Sequence, residues 1–395
     1  MTYSASAHII SSHSNVHKAN QIHEEAIKTT YSSIHNTYNL REINLSSIIK
    51  NFNTLQSICG SSHVYPVLKA NAYGLGAIPI GTALQKAGCT AFFLAYIDEA
   101  LALREHLPNV TLYVLNGPYD GDWVSTCLTH NIIPVLNTYE AIDAWHTYAQ
   151  ALGTPLKTAL HVDTGMHRLG LSSTDLKRLR AKRLPYIDWS LVMSHLACAD
   201  DPHSSLNEEQ RSTFDALRHH FPGAQFSLAN SSGVFLGKNY HYDIVRPGGA
   251  LYGHKPTGLE SPIVPCVTIK AKILQIQTLN PGESIGYSRT FIAEKPMLIA
   301  TLALGYADAM LRGLSGTDAY AIINNQKAPF VGRISMDLIT VDATHITHIA
   351  VNDWAILMGG CDNAMTLDDI ATKMQTDSRD VLVSLGDRFN TVYTK

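Results

Sequence analysis

Lys69 is the residue whose type and position in this sequence most directly suggest chemistry. It follows the apolar run 64–68, which predicts a buried strand, and precedes the glycine-bearing segment 70–76, which predicts a loop. Parallel α/β proteins place their chemistry at the carboxyl ends of strands. Partial burial there lowers the pKa of an amine and favours the neutral nucleophile that condenses with an aldehyde. On this segment alone, a lysine that caps the strand and reaches solvent is the simpler interpretation.

Polar residues follow four further apolar runs that predict strands. In chain order they are the segment 161–168 with Arg168, Ser194 with His195, Asn230 with Ser231, and Arg246 with Gly248 and Gly249. The carboxyl ends of parallel strands meet at one rim, so these groups and Lys69 should converge. Five converging groups predict a functional site at that rim.

The types of these residues indicate a cofactor that carries both an aldehyde and a phosphate. Asn230, Ser231 and the bare backbone at Gly248 and Gly249 offer neutral hydrogen-bond donors, as phosphate cradles do. An imine-forming lysine beside such a cradle suggests pyridoxal 5'-phosphate. If Arg246 faced the pyridine nitrogen, it could not accept a proton and would keep the ring uncharged. The spacing is equally compatible with a rim arginine held in an ion pair.

Eight apolar, β-branched runs alternate with segments of helical periodicity. The runs are 64–68, 91–96, 112–115, 132–136, 158–162, 189–194, 226–229 and 244–245, the last leading into 248–252. This alternation predicts an α/β fold, an eight-stranded parallel (β/α)8 barrel over residues 39–265. An open doubly wound sheet shows a similar alternation, but no GxGxxG motif follows the first run, which argues against a dinucleotide site.

The pattern changes after Pro265. Short strand-like runs separated by turn residues predict a C-terminal mainly-β domain over residues 266–395, with a helix at 366–374. The run 41–45 precedes the barrel and could join this β domain. Residues 1–38 are rich in Ser, His and Thr, and their irregularly spaced histidines predict a flexible extension and no metal site.

Composition excludes several classes of protein. The chain has 395 residues, 45% of them hydrophobic, and a formal net charge of -3, so no basic field indicates nucleic acid or anionic lipid as a partner. The six scattered cysteines form no CxxC pair, which favours reduced thiols and a cytoplasmic location. No run approaches the roughly 18 apolar residues of a membrane span, and no secretory signal is visible.

Several longer motifs resemble those of one protein family, the pyridoxal-phosphate-dependent alanine racemases. The motifs are KANAYGLG (69–76), DTGMHRLG (163–170), SHLACADD (194–201), ANSSG (229–233), VRPGGALYG (245–253), GYSRT (286–290), GYAD (305–308) and VGRISMD (331–337). They follow the order of the family and span most of the chain. The resemblance implies a barrel plus a β domain, and a homodimer whose active sites take residues from both subunits. It further implies a cytoplasmic enzyme that interconverts L-alanine and D-alanine by a two-base mechanism and supplies D-alanine for cell-wall synthesis.

The same resemblance implies a role for each candidate residue. Lys69 would hold the cofactor covalently and act as one base, and Tyr287 would be the opposing base, delivered by the partner subunit. The implied cofactor contacts are Tyr73, Asn230, Ser231, Gly248 and Gly249 around the phosphate, His195 beside the ring and Arg246 at the pyridine nitrogen. The implied substrate-carboxylate region contains Arg168, Tyr306 and the backbone of Met336.

Two positions depart from the family pattern. His161 stands where the family often has a lysine that is carbamylated and orients the motif arginine, so another group, such as a chloride ion or a nearby side chain, must orient Arg168. Arg379 aligns where a phosphate-binding tyrosine is common. It either replaces that contact with a charge-assisted one or belongs to a tail that packs differently.

Three other functions compete with alanine racemisation. A racemase of broader specificity, acting on serine or basic amino acids, differs only in pocket width. A non-catalytic barrel that carries pyridoxal phosphate would lack the β domain and Tyr287. A decarboxylase or carbon–carbon lyase prefers an acidic partner for the pyridine nitrogen, which Arg246 is not.

Overall fold

A computed structural model describes residues 38–117, 122–256, 261–309 and 311–395. Apart from Tyr38, the amino-terminal extension predicted to be flexible lies outside the described residues. Within them, no helix combines the length and apolar character that crossing a membrane requires.

The first part of the described chain is a parallel α/β structure. Its strands are β2 (His63–Val64), β3 (Ala91–Leu94), β4 (Thr111–Val114), β5 (Ile132–Leu136), β6 (Leu156–His161), β7 (Ile187–Met193), β8 (Gln225–Ser227) and β9 (Ile244–Val245). Strands β3 to β8 form a six-stranded sheet in chain order, and β2 pairs with β9 in a separate parallel pair. Each predicted run thus contains strand residues, but the predicted single sheet of eight strands is observed only in part.

Short first and last strands explain this difference. Pro66 has no N–H group to donate toward β3, and contact with β3 is limited to an isolated parallel bridge between Val67 and Phe93. On the other side, Asp243 N–H donates to Phe226 O at 3.0 Å and Arg246 N–H donates to Ala229 O at 2.9 Å. Hydrogen bonds therefore connect the two-stranded pair to both edges of the six-stranded sheet.

Helices follow the strands and cover the outside of this sheet. They are α1 (Leu45–Cys59), α2 (Lys69–Tyr73), α3 (Ala77–Lys86), α4 (Ile97–Arg104), α5 (Trp123–Thr129), α6 (Tyr139–Leu152), α7 (Ser173–Ala181), α8 (Ser205–Asp215) and α9 (Ser231–Phe235). Helix α1 begins at Asn44, whose side chain accepts a hydrogen bond from Ser47 N–H at 2.8 Å. Its apolar face buries Ile48, Phe52 and Leu55 completely, so helical periodicity directs this face into the core.

The second part is mainly β. Its strands are β1 (Asn39–Asn44), β10 (Val267–Leu279), β11 (Ser284–Ile285), β12 (Phe291–Ile292), β13 (Met297–Leu302), β14 (Tyr320–Ile323), β15 (Gln326–Pro329), β16 (Ile339–Asp342), β17 (Trp354–Met358) and β18 (Asn390–Thr394). The main sheet has the order β15-β14-β17-β10-β1-β18, with β13 also paired to β10 and β16 paired to β13.

Strand β1 ties the two ends of the chain together. It pairs antiparallel with β10 and parallel with β18, which confirms that the run 41–45 joins the β sheet. The sequence assigned residues from 39 onward to the barrel, and this assignment is wrong for β1. Only hydrogen bonds to partners more than 200 residues away decide where so short a strand lies.

Two helices precede the last strand, α10 (Leu367–Met374) and α11 (Ser378–Val383). Helix α10 lies where the sequence predicts it, and Thr366 caps it by accepting a hydrogen bond from Asp369 N–H at 3.1 Å. Farther along, the Tyr393 hydroxyl in β18 donates to Leu75 O at 2.9 Å. The β sheet thereby contacts the segment that follows Lys69.

Candidate active site

A cavity of about 150 Å³ lies at the carboxyl ends of the parallel strands. Its lining includes nine of the twelve candidate residues: Lys69, Tyr73, Arg168, His195, Asn230, Ser231, Arg246, Gly248 and Gly249. The fold therefore brings together residues that are up to 180 positions apart in the sequence, as the positions at the strand ends predicted.

Lys69 enters this cavity from an unusual backbone turn. Ala70, Asn71, Ala72 and Tyr73 all have positive φ angles between 51° and 57°, so the predicted loop is one turn of left-handed helix. Left-handed helical backbone costs roughly 1–2 kcal/mol per residue outside glycine. No glycine marks these four positions, so the sequence gives no sign of the turn. Surrounding contacts must stabilise it.

The Lys69 amine is half-buried, and its pKa is lowered from the ordinary value. Burial is the main cause, the charges of Arg168 and Arg379 add to it, and the Glu99 carboxylate opposes it. A lowered pKa increases the fraction of neutral amine near neutral pH. This is the property that a nucleophilic or basic lysine needs.

Arg246 is a buried cation with neutral partners. It is 3% exposed, and its guanidinium donates to Ser227 Oγ at 2.5 Å and to Ser194 O at 2.6 Å. Burial lowers the pKa of Arg246 to about 9. The rim ion pair that the spacing allowed is absent from the described contacts. Among the described contacts no carboxylate offsets this positive charge, so an electron-rich group in the cavity would interact with it directly.

His195 lies next to Arg246, whose Nη2 is 3.4 Å from His195 Nδ1. Burial, followed by the charges of Arg246 and Arg168, lowers the pKa of His195 well below its ordinary range. The imidazole is therefore neutral, and Nδ1 is free to accept from the arginine. A flat, uncharged ring of this kind suits contact with another aromatic ring.

A cradle of small groups forms another part of the lining of the cavity. Ser231 Oγ accepts hydrogen bonds from Gly248 N–H at 2.9 Å and from Ala250 N–H at 3.2 Å. The Tyr73 hydroxyl lies so close that a Cβ on Gly248 would be 2.2 Å from its oxygen. Burial raises the pKa of Tyr73 to about 12, so its phenol keeps its proton and can donate. Only glycine permits this approach.

His161 lines an adjoining cavity that it shares with Lys69 and Arg168. Its Nδ1 is 2.7 Å from Asn137 Oδ1, while Asn137 Nδ2 donates to Leu115 O at 2.8 Å and Val135 O at 2.9 Å. Those two carbonyls fix the amide, so Nδ1 of His161 carries the proton. Burial, with Arg246 and Arg168, lowers the pKa of His161 to about 3. The described residues show no hydrogen bond between the neutral ring and the exposed Arg168.

Arg379 lines the same cavity, and so does His254. The sequence left open whether Arg379 reaches the phosphate region or packs elsewhere, and His254 was not among the predicted residues. A Cβ on Gly249 would lie 3.5 Å from Arg379 Cγ, so this side chain covers the cradle. Asp377 pairs with the Arg379 guanidinium at 2.5–2.6 Å. His254 Nδ1 is 3.0 Å from Asp368 Oδ1, which fixes helix α10 against the parallel α/β part. His254 directly follows the VRPGGALYG motif, and this adjacency could have indicated that it lies at the site.

Comparison with known proteins identifies the family of this chain over residues 43–256 and 266–393. The N-terminal domain model of alanine racemase matches residues 43–256, and the C-terminal domain model matches residues 266–393. The chain belongs to the alanine racemase family. An alanine racemase of Rickettsia akari is 41% identical over 357 residues, which cover 89% of this chain and 98% of the relative.

Solved structures of alanine racemases have the same fold. The Bartonella henselae enzyme, determined with covalently bound pyridoxal phosphate, is 36% identical, has a TM-score of 0.85 and covers 90% of this chain and 99% of its own. The biosynthetic enzyme of Pseudomonas aeruginosa is 29% identical, has a TM-score of 0.83 and covers 91% of this chain and 99% of its own.

Three candidate residues lie outside the cavity, on the β part of this alanine racemase family member. Tyr287 is 70% exposed and Met336 is 53% exposed. Ala307 N–H donates to Met336 O at 2.9 Å and Tyr306 N–H to Ser335 O at 3.0 Å, so Tyr306 and Met336 lie on adjoining loops. The turn that carries Tyr287 packs near Arg333, since a Cβ on Gly286 would be 3.4 Å from Arg333 N. None of the three lines the cavity of its own chain.

The cavity as a whole fits an anionic ligand. Arg168, Arg246 and Arg379 line it together with Lys69, and no aspartate or glutamate is among the described lining residues. Backbone and hydroxyl donors stand at one end, and a neutral imidazole stands at the side. The described residues also contain no cluster of His, Cys, Asp and Glu that could hold a metal ion.

Proposed function

We propose that this protein interconverts L-alanine and D-alanine, with pyridoxal 5'-phosphate held at Lys69. The observation that carries the proposal is a half-buried lysine of lowered pKa in a cationic cavity that has a cradle of neutral donors. The alanine racemases that this chain resembles support the same reaction, and a covalently bound pyridoxal phosphate is present in the Bartonella henselae structure.

The cofactor contacts follow from the lining of the cavity. Lys69 provides the covalent attachment, and the cradle of Tyr73, Ser231, Gly248 and Gly249 takes the phosphate, with Asn230 beside it. His195 would lie beside the cofactor ring, and Arg246, which cannot accept a proton, would keep the pyridine nitrogen uncharged. Fixed cations and neutral donors in a preformed cavity bind an anionic group without reorganising.

When bound, pyridoxal phosphate supplies the electron sink that makes the α-C–H bond of an amino acid acidic. The Lys69 amine takes or returns the proton on one face of the α-carbon. Tyr287 of the partner subunit serves the other face. Arg168 binds the substrate carboxylate, together with Tyr306 and the backbone of Met336. Two bases on opposite faces are what inversion of a stereocentre requires.

A homodimer is part of this proposal. On the β part, Tyr287 and Met336 are exposed and Tyr306 is half-buried, and none of the three lines the cavity that contains Lys69. A second copy of the chain is the simplest source of the missing residues, because a twofold interface places each β part opposite the other cavity. The exposed Tyr287 and Met336 side chains would then be covered.

The proposal also includes the architecture and the location. The six-stranded sheet and the β2–β9 pair close into one eight-stranded barrel, supported by the hydrogen bonds that join them on both sides. Residues 39–265, apart from β1, form the barrel domain, residues 266–395 form the β domain, and residues 1–38 form an extension. The protein works in the cytoplasm and supplies D-alanine for the cell wall.

A panel of amino acids tests the function directly. Purified protein loaded with pyridoxal phosphate is incubated separately with the L-enantiomers of alanine, serine, lysine and arginine, and the D-enantiomers are separated by chiral chromatography. We expect L-alanine to be converted fastest, with D-alanine accumulating until the mixture is racemic. Comparable rates with serine or a basic amino acid would favour a racemase of broader specificity. Absence of any D-enantiomer would refute the proposal.

Arg379 gives a prediction about cofactor affinity. If its guanidinium reaches the phosphate, Arg379→Ala should weaken pyridoxal phosphate binding about 10-fold, or about 1.4 kcal/mol. Asp377→Asn removes the carboxylate that now pairs with Arg379 and should strengthen binding. Fluorescence titration of the two variant apoproteins with pyridoxal phosphate measures both affinities. If neither substitution changes the affinity, the tail only packs beside the site.

A further inference from the structure

The start of the left-handed turn that follows Lys69 is held by one carboxylate, that of Glu99 in helix α4. Glu99 Oε1 accepts a hydrogen bond from Ala70 N–H at 2.6 Å. Its other oxygen, Oε2, accepts from Ala95 N–H at 2.7 Å and from Tyr96 N–H at 3.3 Å. One side chain therefore joins the segment after Lys69 to the end of strand β3.

The position of this contact matters because Ala70 is the first residue of the left-handed turn. The later part of the turn has other supports: Gly74 N–H donates to Ala70 O at 2.8 Å, and the Tyr393 hydroxyl donates to Leu75 O at 2.9 Å. The amide next to Lys69 has Glu99 as its acceptor. Loss of that acceptor would allow the strained backbone at Ala70 to relax.

We propose that Glu99 is a positioning residue for Lys69, which it holds at the cavity by fixing the Ala70 amide in the left-handed turn. This inference rests on the proposed function, since it concerns the lysine assigned to the reaction. Glu99 need not touch substrate or cofactor. A carboxylate suits the task because it accepts strong, short hydrogen bonds on both oxygens at once.

If Glu99 only capped helix α4, its loss would destabilise the start of that helix and would not act specifically on residues 69–76. Glu99 lies in the first turn of helix α4, where an acidic side chain that accepts the Tyr96 amide stabilises a helix start. The bond to Ala70 contributes nothing to that cap. Effects on residues 69–76 therefore separate positioning of Lys69 from stabilisation of the helix.

The test compares Glu99→Ala and Glu99→Gln with the control Asp98→Asn. Asp98 is a neighbouring carboxylate on the same helix turn and is exposed, with no hydrogen bond among the described contacts. In the full chain loaded with pyridoxal phosphate, Glu99→Ala should lower kcat about 100-fold with KM changed less than about threefold. Glu99→Gln keeps one acceptor oxygen and should lower kcat about 10-fold. The control should equal the wild type.

Hydrogen exchange of the apoproteins, followed by mass spectrometry, provides a readout that does not depend on activity. In Glu99→Gln, the peptide that covers 69–76 should exchange at least about 10-fold faster, while most of helix α4 remains protected. Unchanged exchange at 69–76, or a kcat like that of Asp98→Asn, would overturn the inference. So would equal loss of protection over both segments, the result expected of a helix cap alone. Failure of the wild type to racemise alanine would instead refute the proposed function, and exchange would still decide the role of Glu99. If Glu99→Ala does not fold, Glu99→Gln alone carries the test.

Discussion

Replacing Lys69 with alanine should abolish racemisation, with a loss of about 10⁴-fold or more in kcat. The substitution removes both the covalent attachment point and one of the two proposed bases. The fold should survive, because the amine makes no hydrogen bond among the described contacts and Ala70 keeps its bond to Glu99. Lys86→Ala, which changes an exposed lysine at the end of helix α3, is the matched control and should retain full activity.

Chemical trapping locates the reactive amine independently of activity. Borohydride treatment of the protein loaded with pyridoxal phosphate should fix the label on the peptide that contains Lys69. Incorporation into the apoprotein should accelerate with rising pH, because only the neutral amine reacts. It should level off below the pH of about 10.4 that an ordinary lysine requires, since burial lowers the pKa of Lys69. A label on another lysine would contradict the assignment of the site.

Convergence of the strand-end residues was predictable from the sequence, and the reason is geometric. Alternation of buried runs with helical segments implies parallel strands, whose carboxyl ends share one rim. Asn230 and Arg246 could therefore be placed near Lys69 without knowledge of any contact between them. The cavity that they line agrees with this expectation. The roles of these residues remain proposals.

Other features depend on contacts that no local pattern records. The left-handed turn contains Ala70 and Asn71 instead of glycine, so it exists only because Glu99 and other distant groups support it. Arg379 reaches the cradle because helix α11 packs there, about 130 residues beyond Gly249. Strand β1 likewise joins the β sheet because it pairs with β10 and β18. Such placements follow from tertiary packing, which short-range periodicity does not encode.

Tyr287→Phe should slow removal of the α-proton from one enantiomer of alanine by about 10²- to 10⁴-fold and affect the other enantiomer less. The change removes a single hydroxyl from an exposed side chain, so the stability of the fold should not change. Exchange of the α-proton with deuterated solvent, measured separately for L-alanine and D-alanine, gives the two rates. Tyr148→Phe, on the exposed side of helix α6, is the control. Equal slowing of both enantiomers would argue against two separate bases.

Mixed dimers decide which subunit delivers this tyrosine. In a dimer of one Lys69→Ala chain and one Tyr287→Phe chain, one site would lack both groups if Tyr287 acts on the partner's cavity. The other site would then be intact, so random mixing of the two inactive proteins should restore about a quarter of the wild-type activity per site. If Tyr287 served the cavity of its own chain, each site would lack one group and mixing would restore nothing. The exposed position of Tyr287, outside the lining of its own cavity, favours restoration.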